Sequence, residues 1–440
     1  LVSVCLPDET NLLRTGPDAE LPPPEAQLAL PGLLPGANIA PVVEDLAETF
    51  AEDDPIWDSL PEPRFPRPAI EGDVRRLITP DIDTKALYVN TPGVGITKKG
   101  ETVVVKDQGE TVVEVRIKDL HHLAVFGSAQ LSTALVQTLC EHDIPISFFS
   151  MGGWFYGLAR GHGLTNVFTR IKQFARAADP EQSLPLARLF VYGKIRNQRT
   201  LLRRNHIEPP PLVLRILKHA ASAALVAPNH ASLLGIEGAA ALSYFRHFGG
   251  MIKGPEVQDE IPGLDDLPSE PTATVGGPPA QALFTFDFKT RNRRPPRDPV
   301  NALLSLAYSL LARDCTIAAH AVGFDPYVGF YHQPRFGRPA LALDVMEEFR
   351  PLVADSVVLT AINNRMLGPG DFVQAGDAVN LTTAGRKRFL FAYEKRMGDT
   401  VTHPIFDYKV SYRRAIELQF RLLARTLTGE IDRYVPFTTR

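Results

Sequence analysis

The spacing of apolar residues changes twice along this 440-residue chain, and these changes limit the folds open to it. Residues 1–80 contain 14 of the 38 prolines, which fix φ and lack an amide donor, so no continuous helix is expected there. Between residues 81 and 165, short β-branched runs alternate with turn residues, as in strands. Beyond residue 183 the spacing is helical. The pattern predicts an α+β fold, with a small β domain before a larger all-helical domain.

These changes in spacing also give the expected boundaries. We predict a proline-rich acidic linker over 11–80, a β domain over 81–165, an interdomain linker over 166–182 and a helical domain over 183–440. The helical domain contains a six-proline segment, 254–280, which we expect to be a mobile insertion. Its helices are expected at 183–205, 212–226, 230–248, 299–313, 340–365, 382–396 and 410–428.

Charge is unevenly distributed. The net charge is −3, but residues 1–80 carry 15 acidic and 5 basic residues, a balance of −10. The remaining 42 basic and 35 acidic residues give 81–440 a balance of +7, which favours a nucleic-acid partner. The three cysteines are too few for a disulfide framework, and no apolar run reaches the length of about 18–20 residues that spans a bilayer. We therefore expect a cytoplasmic protein with no membrane segment.

Two basic segments are candidate DNA-binding surfaces. Segment 188–204 has six basic residues and no acidic one, and four of its arginines fall within an arc of about 80° on a helix. Segment 289–297 has five basic residues. Salt bridges within the protein, or a solvated basic face, would explain the same pattern. The predicted DNA-binding residues are Arg188, Lys194, Arg196, Asn197, Gln198, Arg199, Arg203, Arg293 and Arg294.

Glu237 occupies an apolar stripe of its predicted helix, where a core residue is expected. A buried carboxylate without a partner costs several kcal/mol or becomes neutral. Glu237 must therefore be paired, hydrogen-bonded or bound to a cation. A salt bridge to an arginine remains an alternative to a metal site.

The stretch GFDPYVGFYHQPRFGRPALALDVMEEFRP, residues 323–351, combines a histidine with several carboxylates. His332 lies in an aromatic-rich loop, and Asp344 and Glu347 share a face of the next helix through their i, i+3 spacing. Nitrogen and oxygen ligands without cysteine favour Mg²⁺ or Mn²⁺ over structural Zn²⁺. Glu348 is rotated by about 100° from Glu347, so we expect it at the surface.

Residues 85–440 resemble the CRISPR-associated integrases of spacer acquisition. The matching stretches are RLFVYGKIRNQRTLLRR, GIEGAAALSYF, RRPPRDPVNALLSLAYSLL, GFDPYVGFYH, LALDVMEEFRP and SYRRAIELQFRLLARTLTGE. The resemblance implies a β-sandwich-like N-terminal domain that dimerises and a helical catalytic domain. It also implies Glu237, His332 and Glu347 as catalytic metal ligands, with Asp344 as a less certain fourth. Two homodimers would be bridged by a small ferredoxin-like partner protein.

The first ten residues, LVSVCLPDET, resemble the end of a RecB-like iron–sulfur nuclease that is sometimes fused to this integrase. The resemblance implies that Cys5 is a cluster ligand in a longer fusion protein. The other three cysteines that a four-cysteine cluster needs would belong to that upstream domain.

The expected function is metal-dependent joining of the 3′-hydroxyl ends of captured double-stranded DNA to a CRISPR repeat by transesterification. One alternative is a metal-dependent nuclease that hydrolyses branched DNA. Another is a non-catalytic DNA-binding scaffold in which Glu237 forms a salt bridge.

Overall fold

The computed structural model describes residues 85–151, 153, 155–161, 167–253, 284–292 and 295–439. Several predictions concern residues outside these ranges: the segment 1–10 with Cys5, the linker 11–80, the insertion 254–280, and Arg293 with Arg294.

The N-terminal region folds into two sheets that share one core. Its elements are β1 (Lys85–Val89), β2 (Gly95–Lys99), β3 (Thr102–Asp107), β4 (Glu110–Arg116), β5 (Leu120–Phe126), β6 (Gln130–Leu131), α1 (Thr133–Glu141), β7 (Ile146–Phe149) and β8 (Phe155–Ala159). Strands β1, β5, β7 and β8 form one sheet, and β4, β3, β2 and β6 form the other. Alternate residues of β3 and β5, such as Val103 and Leu123, are buried in the same cluster as Leu135 of helix α1. The predicted β-sandwich-like domain is confirmed.

The segment 166–182, expected to be a linker, instead contains helix α2 (Val167–Ala178). Gln173 is buried, and its side-chain amide donates to the carbonyls of Asp325 and Val328, both at 2.7 Å. Phe168 and Ile171, in contrast, are 72% and 55% exposed. A polar side chain anchors this helix to the protein, which apolar spacing does not reveal.

The predicted helical region is confirmed, and it also contains two short hairpins that the sequence did not predict. The helices are α3 (Pro180–Asn205), α4 (Pro211–Val226), α5 (His230–Arg246), α6 (Pro299–Val322), α7 (Ala340–Phe349), α8 (Ser356–Asn363), α9 (Thr383–Gly398) and α10 (Tyr412–Thr428). A π-helical turn, Arg350–Asp355, joins α7 to α8. The hairpins pair β9 (Phe372–Ala375) with β10 (Ala378–Leu381), and β11 (Thr400–Thr402) with β12 (Lys409–Ser411).

Two long helices form the centre of this region. More than half of the 26 residues of α3 are buried, and α3 packs against α4, α5 and α7. Among the helices that the structure describes, α6 is long and apolar enough to cross a membrane, but 72% of its most apolar window is buried inside the protein. We therefore assign α6 as a core helix.

Buried charges join the β region to the helices. The fully buried Arg313 of α6 donates to the hydroxyl of Tyr88 in β1, at 3.1 Å, and pairs with Asp314. Arg413 of α10 pairs with Asp314 and with Glu394 of α9. Because a buried charge that loses its partner is costly, this network fixes β1 against three helices.

Candidate active site

Three helices bring two carboxylates to one lysine. Asn229 caps the start of α5 by accepting the Ser232 amide at 2.8 Å, and Glu237 lies two turns further along. The Lys194 ammonium group on α3 contacts Oε1 of Glu237 and lies 2.8 Å from Oε2 of Glu347 on α7. The side chains of Lys194 and Glu347 are only 6% and 2% exposed. The salt bridge left open as an alternative for Glu237 is therefore present, with a lysine as the partner.

Asp344 holds the histidine loop in place. Its Oδ2 accepts the amides of Phe330 (2.6 Å) and Tyr331 (2.9 Å), and its Oδ1 accepts the amide of His332 (2.8 Å). Oδ1 also lies 2.7 Å from Nδ1 of His332, which assigns the ring hydrogen to Nδ1. Nε2, the other ring nitrogen, then faces the carboxylate of Glu347, 3.8 Å from its Oε1. Both oxygens of Asp344 are occupied in orienting this loop.

Close packing around Asp344 explains one glycine of the motif. A Cβ atom at Gly329 would lie 2.7 Å from Oδ2 of Asp344 and 2.8 Å from the carbonyl carbon of Ala340. Both distances are too short for a carbon atom. Only glycine therefore lets this loop approach α7 closely enough for Asp344 to bind three consecutive amides.

Glu347 is kept ionised by its neighbours. Burial alone would raise the pKa of its carboxyl group, but Arg350, Lys194 and His332 outweigh burial and hold that pKa at about 2. Nη1 of Arg350 lies 3.2 Å from Oε1 of Glu347. Arg350 was not among the predicted site residues, although its i, i+3 spacing from Glu347 is a usable signal.

The prediction that Glu348 lies at the surface is wrong. The residue is fully buried, and its Oε2 accepts the amide of Phe437 at 2.7 Å and the amide group of Gln419 at 3.0 Å. Its Oε1 accepts the hydroxyl of Tyr434 at 2.7 Å. Burial raises the pKa of Glu348 to about 8, against the opposing effect of these hydrogen bonds. Other elements cover α7 on several sides, so the face of α7 that carries Glu348 packs against the C-terminal segment and is not exposed to solvent.

The predicted DNA-binding face of 188–204 is largely internal. Asn197 is fully buried and donates to the carbonyls of Glu348 and Phe437, both at 2.8 Å, so it cannot contact DNA. Lys194 and Gln198 are also buried, and only Arg203 of the predicted set on this helix is exposed. The physical reason is that α3 is the central helix of its region. Three half-buried arginines bond within the protein: Arg188 to the Ala227 carbonyl, Arg196 to the Tyr192 hydroxyl and Arg199 to the Leu214 carbonyl.

The donor atoms at this site suit a divalent cation. In the part of the chain that the structure describes, no three His, Cys, Asp or Glu side chains already form a metal-binding group. Instead, the Lys194 ammonium contacts the carboxylates of both Glu237 and Glu347. Two carboxylate oxygens and an imidazole nitrogen are ligands that Mg²⁺ or Mn²⁺ accepts, so the residues fit such an ion once the ammonium moves aside.

Known proteins are similar to this chain in sequence and in fold. The family described as CRISPR associated protein Cas1 matches residues 87–261 and 280–395. A Cas4/endonuclease Cas1 fusion from Geobacter sulfurreducens is 46% identical over 85% of this chain and 62% of its own length. A second such fusion, from Rhodospirillum rubrum, is 36% identical over 100% of this chain and 63% of its own length. The chain thus spans less than two thirds of these fusion proteins.

Relatives without the fusion cover the same region. CRISPR-associated endonuclease Cas1 3 of Thermus thermophilus is 36% identical over 80% of this chain and 97% of its own length. The solved structure of a CAS1 protein from Thermotoga maritima has the same fold, with a TM-score of 0.63 and 24% identity over 81% of this chain and 100% of that one. The resemblance seen in the sequence is confirmed, and the chain belongs to the CRISPR associated protein Cas1 family.

Proposed function

We propose that this chain joins DNA strands by metal-dependent transesterification during the capture of DNA into a CRISPR array. The observation that carries the proposal is that Glu237 and Glu347 both contact the buried Lys194 ammonium, while Nε2 of His332 lies 3.8 Å from the other carboxylate oxygen of Glu347. The relatives are named endonucleases, which supports chemistry at a phosphodiester.

In the proposed reaction, the 3′-hydroxyl oxygen of the captured DNA forms a bond to a phosphorus atom of the repeat. The bond between that phosphorus and the 3′ oxygen of the preceding nucleotide breaks. The attacking hydroxyl loses its proton, and the leaving 3′ oxygen gains one. The number of phosphodiester bonds is unchanged, so no nucleotide cofactor is consumed. A Mg²⁺ or Mn²⁺ ion held by Glu237, His332 and Glu347 would stabilise the charge that develops on the phosphoryl oxygens.

The remaining residues of the site would act by orientation and charge. Asp344 keeps Nε2 of His332 directed towards Glu347, and we place Asp344 outside the ligand set because its oxygens already accept four hydrogen bonds. Arg350 balances the charge of Glu347. We propose that these two residues prepare the ligands and do not bind the ion.

The assembly is also a proposal. We propose a homodimer, two copies of which are bridged by a small ferredoxin-like partner protein on double-stranded DNA. The balance of +7 over residues 81–440 supports DNA binding. An iron–sulfur cluster would belong to a Cas4-type portion such as the fused relatives contain, with Cys5 as one ligand.

Specific observations favour two other functions. The word endonuclease in the relatives' names favours hydrolysis, in which water replaces the 3′-hydroxyl as the nucleophile. The contact between Lys194 and Glu237 favours a scaffold, in which the site is a structural ion pair.

A labelled-strand assay separates these functions. Labelled DNA with free 3′ ends is incubated with a repeat-containing duplex, the partner protein and Mg²⁺ or Mn²⁺. We expect joined strands, with on the order of 100-fold less product for Glu237→Gln and no change in DNA affinity. The exposed Glu208→Gln is the matched control. Shortened strands without joined product would identify the nuclease, and full joining by Glu237→Gln would identify the scaffold.

A further inference from the structure

Tyr331 carries a buried hydroxyl group that has no hydrogen-bond partner among the residues that the structure describes. The whole side chain is only 9% exposed. A buried hydroxyl without a hydrogen-bond partner destabilises the folded state. Its retention directly beside His332 therefore calls for an explanation.

Three other buried tyrosines donate their hydroxyl hydrogen to a carboxylate. Tyr244 donates to Asp355 at 2.8 Å, and Tyr393 donates to Asp314 at 2.6 Å. Tyr434 donates to Glu348 at 2.7 Å. The fold thus places a carboxylate next to a buried phenol in several places, and the unpaired hydroxyl of Tyr331 differs from this pattern.

The surroundings of Tyr331 are those of the candidate active site. Its amide donates to Asp344 at 2.9 Å, and its ring lies edge-on to the ring of His332 with centroids 5.0 Å apart. The carboxylates of Glu237 and Glu347, two of the proposed ligands, are among the charged groups that act on the Tyr331 hydroxyl. A phenol carries its proton at neutral pH, so this hydroxyl is a hydrogen-bond donor beside the site.

Arginine side chains supply positive charge around the candidate active site. The pKa of Arg338 is lowered by burial first and then by the charges of Arg335 and Arg350, while Glu347 and Asp344 oppose this shift. Arg350 also acts on the Tyr331 hydroxyl, so a substrate anion at this hydroxyl would meet an arginine as well. A DNA phosphate brings negative charge together with oxygen atoms that accept hydrogen bonds.

We propose that the hydroxyl of Tyr331 donates a hydrogen bond to a non-bridging oxygen of the DNA phosphodiester that reacts at this site. The inference rests on the proposed function and adds a substrate contact to it. A neutral donor suits this position because negative charge grows on that oxygen as the phosphorus is attacked, and a donor already in place stabilises it without reorganisation.

The test is Tyr331→Phe, which removes one oxygen atom and keeps the packed ring. Strand joining, DNA affinity, Mn²⁺ affinity and melting temperature are measured for the full chain with its partner protein. We expect the rate of joining to fall on the order of 100-fold. Most of this loss should remain at saturating DNA, where DNA affinity no longer limits the rate. Melting temperature without DNA should be unchanged or higher, because no partner within the protein is lost.

Two tyrosines provide controls. Tyr327→Phe changes an exposed residue of the same loop and should leave every measurement unchanged. Tyr308→Phe removes a donor to Asp355, at 2.6 Å, and should lower the melting temperature. A lower melting temperature for Tyr331→Phe would overturn the inference, since the hydroxyl would then have a partner inside the protein.

Other outcomes are equally decisive. Unchanged joining by Tyr331→Phe, while Glu237→Gln abolishes it, would overturn the tyrosine inference and leave the proposed function standing. Loss of Mn²⁺ affinity in proportion to joining would also overturn it, because the acceptor would then be water on the ion. Joining by Glu237→Gln at the normal rate would instead defeat the proposed function itself.

Discussion

The ammonium nitrogen of Lys194 lies 2.8 Å from Oε2 of Glu347, in a position where a metal ion would meet the same oxygen. Lys194 also contacts Glu237, so one side chain neutralises two carboxylates from different helices. We therefore propose that the ammonium and a divalent ion are alternatives at this site. Under this proposal Lys194 stabilises the fold when no ion is bound and is displaced when an ion binds.

The first prediction concerns Lys194→Met. Removing the ammonium leaves two buried carboxylates close together, so the free energy of unfolding should fall by about 3 kcal/mol without metal. Mn²⁺ should then stabilise the variant more than the wild type, because no lysine competes for the carboxylates. Melting temperatures with and without MnCl₂ measure this difference, and the exposed Lys253→Met is the control. Equal Mn²⁺ shifts in both proteins would contradict competition at this site.

The second prediction concerns Asp344→Asn. Asparagine has one acceptor oxygen, so it cannot hold both the loop amides and Nδ1 of His332. We expect Mn²⁺ affinity to fall by about 10- to 100-fold, as for other residues that orient a metal-binding histidine. Titration calorimetry measures the Mn²⁺ affinity of each variant. Glu347→Gln shows how much Mn²⁺ affinity is lost when a proposed ligand is removed. A loss as complete as that of Glu347→Gln would place Asp344 among the ligands.

The elements and the candidate ligands could be predicted because their signals are local. Five of the seven predicted helices lie within three residues of the observed bounds, whereas 299–313 stops nine residues before the end of α6 and 340–365 is interrupted by the π-helical turn. Glu237, whose side chain is 14% exposed, was identified from its place on an apolar stripe. Asn197 and Glu348 were misplaced because spacing on one helix does not show whether other elements cover its remaining sides. The four-residue strands of the β9–β10 hairpin are too short for a period to be visible.

The third prediction is a pH dependence from Asp355. Burial raises the pKa of this carboxyl group to about 6, against hydrogen bonds from Tyr308 and Tyr244. Between about pH 4 and 6 the folded protein keeps the proton that the unfolded chain releases, so stability falls as pH rises, by at most about 1.4 kcal/mol per pH unit.

Asp355→Asn removes this titration and isolates it from other carboxylates. Urea unfolding of both proteins at pH 4, 5, 6 and 7 gives the difference in free energy of unfolding. We expect the wild type to lose stability relative to the variant up to about pH 6 and no further above it. A difference that stays constant over this range would show that Asp355 is ionised throughout.

The fourth prediction concerns the unusual orientation of α2. Gln173 donates to the carbonyls of Asp325 and Val328 and accepts the amide of Asp325 at 3.0 Å, at the start of the loop that leads to His332. Gln173→Ala leaves these buried groups unpaired, so we expect a loss of about 2–3 kcal/mol in the free energy of unfolding. Phe168→Ser, at a position 72% exposed, should change it by less than about 0.5 kcal/mol. Urea unfolding measures both, and a larger loss for Phe168→Ser would show that the apolar side of α2 is its packed side.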